Sequence, residues 1–166
     1  MKKILACFSC LMILVLQASA QNSKPVASKS KYVPVTKYIP SRDAEKDIQE
    51  AVAEAKRTGK RVLLDVGGEW CIWCHILDRY FDENPKLAEF RDRNFVMTKV
   101  NFSQENENKK ALSRYPQVPG YPHLFVLDSD GKLLHSQGTG DLEKGKSYDL
   151  EKFFSFLKKW APPANQ

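Results

Sequence analysis

Apolar residues recur along this chain in blocks whose spacing switches between that of a helix and that of a strand. Ala44, Ile48, Ala51, Val52 and Ala55 mark one face of a helix, with Ser41 or Asp43 as its cap and Gly59 just past its end. The compact run from Arg61 to Val66 suits a buried strand, and Gly67-Gly68 breaks it. Ile72, Ile76, Leu77, Tyr80 and Phe81 predict a helix from Cys71 to about Asn84, where Asn84 can cap a second helix and Pro85 can open its first turn. That second helix is expected to reach about Arg93.

Further on, Phe95 to Phe102 alternates as a strand does, and the polar stretch from Glu105 to Tyr115 is expected to form a short helix. Leu124 to Leu127 and Lys132 to Ser136 predict two strands joined by the turn cluster Asp128-Ser129-Asp130-Gly131. Leu150, Phe153, Phe154, Leu157 and Trp160 then repeat at helical spacing after Asp149, and Pro162-Pro163 stops the run. No internal repeat is visible. The pattern is that of an α/β protein.

The ends of the chain read differently. Met1-Lys2-Lys3, an apolar stretch from Ile4 to Leu16 and Ala18-Ser19-Ala20 together resemble an export signal over residues 1–20 with an A-x-A cleavage site. The stretch is shorter than the roughly 20 residues a membrane-spanning helix needs. No stable membrane insertion is therefore expected after cleavage, and the mature protein is expected to be periplasmic or secreted. Residues 21–42 read as a linker or an arm, in which Tyr32-Val33-Pro34-Val35 and Tyr38-Ile39-Pro40 are candidates for a short edge strand. One domain over residues 43–161 and a tail over 162–166 complete the expected organisation.

Composition narrows the function. The 166 residues carry 26 Lys and Arg against 20 Asp and Glu; without Lys2 and Lys3 the balance is 24 against 20, a net charge of +4. These charges are interspersed, with no basic face threaded with aromatics, so no nucleic-acid role is expected. Of four cysteines, Cys7 and Cys10 fall in the presumed signal, which leaves Cys71 and Cys74 alone in the mature chain. Two cysteines three residues apart in an oxidising compartment are a poor structural staple and a good redox pair.

A cysteine at the first turn of a helix lies beside unpaired N–H groups and the positive end of the helix dipole, which favours its thiolate. Cys71 is placed as that nucleophile. Cys74, on the same helical face, is placed as the residue that resolves a mixed disulfide. His75 lies four residues after Cys71 and is a candidate to tune the thiolate's pKa. Trp70 and Trp73 are candidates for an apolar platform that binds substrate; ordinary packing is the alternative for each.

Asp65, the run Glu69-Trp70-Cys71-Ile72-Trp73-Cys74 and Gly120-Tyr121-Pro122 before a strand together resemble the thioredoxin superfamily, over about residues 44–160. The likeness is greatest to exported thioredoxin-like proteins with an extra helix after the active-site helix. It implies a central mixed sheet flanked by helices, and thiol-disulfide exchange of a reductase-like kind with no bound cofactor. Protein or small thiol and disulfide substrates are implied as partners, with a membrane-embedded electron donor. By the same resemblance Asp65 is a buried acid relaying the proton of Cys74, and Pro122 is a cis-proline that frees Tyr121 to bind substrate. Three positions depart from the family: Gly67 stands where many thioredoxins have an aromatic residue, His123 follows the proline where Thr is common, and Ile72-Trp73 replaces Gly-Pro.

Two rival chemistries share the motif. Cys71-Ile72-Trp73-Cys74-His75 is also C-x-x-C-H, the attachment signature of c-type haem, for which Met97, His123 and His135 are candidate second axial ligands. Alternatively, Cys71, Cys74 and His75 with another histidine could hold copper or zinc. The strand before the pair, together with Asp65 and Pro122, favours thiol exchange over both.

Overall fold

A computed structural model describes residues 31–163. The expected export signal over 1–20, the first part of the expected arm over 21–30 and the tail residues 164–166 lie outside the described residues.

The Ala-rich face of Ala44–Thr58 forms α1, capped by the Asp43 carboxylate, which accepts from the Glu45 and Lys46 N–H groups, and closed by Gly59 in the left-handed region at φ 70°. Then follow β1 (Arg61–Gly67), α2 (Ile72–Glu83), α3 (Pro85–Asn94), β2 (Phe95–Asn101), α4 (Lys109–Leu112), β3 (His123–Leu127) and β4 (Leu133–Gly138). A 3-10 turn over Thr139–Leu142 leads to the small hairpin β5 (Glu143–Lys144) and β6 (Ser147–Tyr148), and α5 (Leu150–Trp160) closes the domain. Asp149 caps α5 through the Glu151 and Lys152 N–H groups.

The four-stranded sheet has the order β2-β1-β3-β4, with β1 parallel to β2 and antiparallel to β3. This is the mixed sheet of the thioredoxin fold. Side chains alternate across it. Val62, Leu64 and Val66 pack with Ile48, Ala51, Ala55 and Phe125 under α1, while Leu63 packs with Leu77, Phe81, Phe153 and Leu157 under α2 and α5. With both faces covered, the inner strands need no polar side, which is why β1 reads as a continuous apolar run.

Several local expectations change. Among the described residues of the arm, from 31 to 42, no strand forms. Lys99 N–H on the outer edge of β2 donates to Val35 O at 3.0 Å, but Pro34 has no N–H to extend a ladder beside it. The helix expected over 105–115 is confined to Lys109–Leu112. Asn106 and Asn108 spend their side chains on the carbonyls of Pro40 and Asn101, both at 2.8 Å, and so shape a loop instead. Asn84 precedes α3 as expected but makes no side-chain cap, because its amide donates to Tyr80 O at 2.8 Å. The strand expected over Lys132–Ser136 is β4, which runs from Leu133 to Gly138.

Candidate active site

Gly67-Gly68 ends β1 and turns the chain into α2, so the CxxC motif lies at a helix N-terminus beside the middle of the sheet. Cys71 is the N-cap, in extended backbone, and its Sγ accepts the Cys74 N–H at 3.1 Å. The unpaired amides of the first turn are thereby directed at the outer sulfur. Cys71 and Cys74 are joined as a disulfide, with Cα atoms 5.2 Å apart. Cys71 keeps 4% of its surface exposed and Cys74 none.

Asp65 is wholly buried on β1. Parallel pairing sets it directly opposite Lys99 of β2, whose Nζ donates to Asp65 Oδ2 at 3.1 Å and to Asp78 Oδ1 of α2 at 2.7 Å. Burial raises the Asp65 pKa above the usual carboxylate value, with Lys99 opposing it. For Lys99, burial acts to depress the ammonium's pKa, but Asp65 and Asp78 outweigh it and hold it above the usual lysine value. Asp78 is 41% exposed and lines a cleft of about 600 Å³ under Pro34, Val35 and Thr36, which links the buried acid to solvent through Lys99.

The mouth of the site is aromatic. Trp70 is 55% exposed, donates its indole N–H to Phe102 O at 2.7 Å and meets Tyr121 edge-on at 5.4 Å. Tyr121 stacks on Phe102 at 4.9 Å, and the Tyr121–Pro122 peptide is cis. Ile72 is 75% exposed beside the cysteines, although the spacing placed it on the apolar face of the helix. Trp73 takes the other course: it is half-buried against Tyr148, ring centres 5.7 Å apart, and packs into the core under α2. It also packs beside Tyr38 and the two cysteines, whereas Trp70 and Ile72 are exposed.

His75 does not turn to the sulfurs; its Nε2 lies 2.8 Å from Glu69 O. The three axial-ligand candidates are engaged in separate places. His123 is buried with Nε2 at 2.8 Å from Ser136 Oγ, His135 stacks on Trp160 at 4.5 Å, and Met97 packs under α2. Among the described residues, no three His, Cys, Asp or Glu side chains gather as a metal-holding group. No helix among them is long and apolar enough to cross a membrane.

Sequence reasoning missed Lys99, Asp78, Phe102, Ile72 and Tyr38. Asp78 had a signal, since it lies on α2 four residues beyond Cys74 and so on the same face. Tyr38, from the arm, had none beyond being aromatic; it is buried against Cys71 and Cys74.

Fold and site together define a thioredoxin-fold oxidoreductase built around a CxxC pair. A family model described as thioredoxin-like matches residues 43–129, more than half of the chain, and the chain belongs to that family. The thiol:disulfide interchange protein DsbD of Pseudomonas fluorescens is 27% identical over 135 residues, covering 76% of this chain and 21% of that protein. The disulfide bond reductase DsbH of Chlamydia pneumoniae is 28% identical over 98 residues, covering 54% of this chain and 58% of that protein. This chain thus spans about a fifth of the DsbD relative and little over half of DsbH. Among solved structures, a disulphide isomerase from Xylella fastidiosa superposes with a TM-score of 0.64 at 27% identity, over 77% of this chain and 98% of that one. The oxidised C-terminal domain of Neisseria meningitidis DsbD shares the fold, with a TM-score of 0.51 at 23% identity over 70% of this chain and 95% of that one.

Proposed function

We propose that this chain is an exported thiol-disulfide oxidoreductase that reduces protein or small-molecule disulfides through Cys71 and Cys74. The observation that carries the reading is the pair itself: one sulfur at a helix N-terminus and barely exposed, the other fully buried in the first turn of that helix, which follows a strand that carries a wholly buried acid. In the reduced protein the Cys71 thiolate attacks a substrate disulfide, forming a Cys71–substrate bond while the first substrate sulfur leaves with the electron pair. Cys74 then loses its proton to Asp65 and attacks Cys71 Sγ. The intramolecular disulfide forms and the second substrate sulfur leaves as a thiolate, so two electrons pass from the pair to the substrate. A dithiol donor restores the pair by the reverse sequence.

Trp70, Tyr121 and Pro122 form the substrate-facing surface in this reading, joined by Ile72. Residues 1–20 act as the export signal, 21–42 as the arm, 43–161 as the catalytic domain and 162–166 as a tail. The compartment is the periplasm, where a reductase needs a donor of electrons, and a membrane-embedded dithiol protein is the partner of the right chemistry. The names borne by relatives cover interchange and reduction, and direction is set by the pair's potential rather than by its geometry.

Substitution of the two cysteines tests the reading. Cys71→Ser is expected to abolish reduction of a model disulfide, and Cys74→Ser to accumulate a mixed disulfide through Cys71 that a small thiol releases. Full exchange activity in both variants would falsify the assignment.

A further inference from the structure

The arm that precedes the domain places Tyr38 inside the redox centre. Its stretch from Tyr32 to Arg42 is fastened across the edge of the sheet at several points. The Tyr32 hydroxyl lies 3.2 Å from Thr98 Oγ1, Lys99 N–H donates to Val35 O at 3.0 Å, and the Asn106 amide donates to Pro40 O at 2.8 Å. Arg42 Nε donates to Asp47 Oδ2 at 2.8 Å, tying the arm to α1. Tyr38 lies between these anchors and is 2% exposed.

Gly67 makes the room. A Cβ at Gly67 would lie 2.4 Å from Cys74 Sγ and 3.1 Å from both Cζ and Oη of Tyr38, so the sulfur and the phenol converge on the space that the missing side chain leaves. The Lys99 ammonium lies 4.0 Å from the centre of the Tyr38 ring, a cation–π contact with the same lysine that holds Asp65. Tyr38 Oη and Asp65 Oδ1 are both buried without a hydrogen-bond partner. A leftover donor and a leftover acceptor in one buried centre point to a use beyond packing.

We propose that Tyr38 is a positioning residue for the Cys74 step: its ring seals Cys74 and Asp65 from water, and its hydroxyl is held beside Asp65 as a proton donor to the carboxylate. The proposal rests on the exchange function above and extends it to a residue outside the matched 43–129 segment. Burial, and then the charge of Asp65, raises the phenol's pKa well above its ordinary value, so Tyr38 stays protonated as the donor. The groups facing this centre are Asp65 on β1, Lys99 on β2, Cys74 and Asp78 on α2, Tyr148 on β6 and Tyr38 itself. Lys99, whose ammonium Asp65 shares with Asp78, reaches Asp65 through Oδ2, which leaves Oδ1 to the tyrosine.

The two halves of the side chain have opposite effects and can be separated. Tyr38→Phe keeps the seal and removes the donor, which disfavours the carboxylate. The pH midpoint for closure of the Cys71–Cys74 disulfide from a mixed disulfide is expected to move up. Tyr38→Ala removes the seal as well and admits water, which favours the carboxylate. Its midpoint is expected to move down, with the closure rate at its plateau falling about tenfold as the sulfur loses its fixed position. Closure is followed by stopped-flow tryptophan fluorescence on the full mature chain, alongside the pair's equilibrium with glutathione and the circular dichroism of each variant. Midpoints and plateau rates unchanged in both variants overturn the proposal while leaving the exchange function standing; a wild-type chain that exchanges no disulfide overturns the function itself. If Tyr38→Ala does not fold, Tyr38→Phe decides alone: an upward midpoint supports the proposal and an unmoved one ends it.

Discussion

Lys99 and Asp65 stand directly opposite one another in parallel strands, Nζ 3.1 Å from Oδ2, where Asp65 is wholly buried and Lys99 nearly so. A lone buried carboxylate would stay protonated and could accept nothing from Cys74. A carboxylate locked by a full-strength ion pair would bind the proton too weakly. In this pair the desolvation of Asp65 is the larger influence and Lys99 tempers it, so the acid's pKa is raised yet the anion is accessible. Asp78 shares the ammonium and lines the cleft. Such tuning by opposed effects is what a proton relay requires.

Removing the lysine therefore has a signed consequence. Lys99→Met removes the charge that most offsets the desolvation of Asp65, so its pKa rises further. In the proposed exchange the carboxylate is the base for closure of the disulfide, so the pH at which closure reaches half its plateau is expected to move upward from the wild-type value. Asp78→Asn is expected to move it down, because it frees the ammonium for Asp65 and removes a nearby negative charge. Stopped-flow closure rates across pH measure both, and shifts of the same sign would contradict the assigned balance.

The sheet and its helices were legible in the sequence because apolar spacing follows directly from which faces are covered. Asp65 stood out as a charge within an apolar run, and its place before WCxxC gave it a role. Lys99 was equally visible as a charge in a strand. Both faces of β2 are covered, however, so alternation could not say that the lysine lies inside; only its register with Asp65 does. Tyr38 was less legible still. Its burial depends on anchors supplied by Thr98, Lys99 and Asn106, residues 60 or more positions away for which local periodicity has no signature. Trp73 was open between platform and packing, and Ile72 was counted with the apolar face though it is exposed, since a helix start next to a turn does not fix which of two neighbours faces the core.

The raised pKa of Asp65 also makes a stability prediction. A group whose folded pKa lies above its unfolded value binds its proton more tightly in the folded state. Its contribution is fully present below the unfolded pKa, about 3.9, and is lost as pH climbs through the raised folded value. Asp65→Asn removes that dependence and keeps the shape. The difference in unfolding free energy, wild type minus Asp65→Asn, is therefore expected to fall steadily as pH rises from about 4 and to level off above the folded pKa. Urea titrations of the oxidised proteins across this range give the curve directly. A difference that grows with pH would mean that the carboxylate is stabilised, not disfavoured, by its surroundings.

The three apolar residues around the motif divide by where they point, and substitution separates mouth from core. Trp70 and Ile72 are exposed, so replacing them with Ala and Ser respectively should change stability by no more than about 0.5 kcal/mol, as for most surface positions. The same changes remove apolar area that a protein substrate would cover, so KM for a protein disulfide should rise several-fold. Reduction of a small disulfide such as oxidised glutathione should change little, because it has too little surface to use the platform. Trp73→Ala should do the reverse. It opens a hole against Tyr148 and is expected to cost about 3 kcal/mol, the lower end for truncating a buried aromatic. Its effects on the two substrates should be equal. Unfolding midpoints paired with KM for both substrates check the division, and a protein-selective KM effect at Trp73 would put that residue back at the mouth.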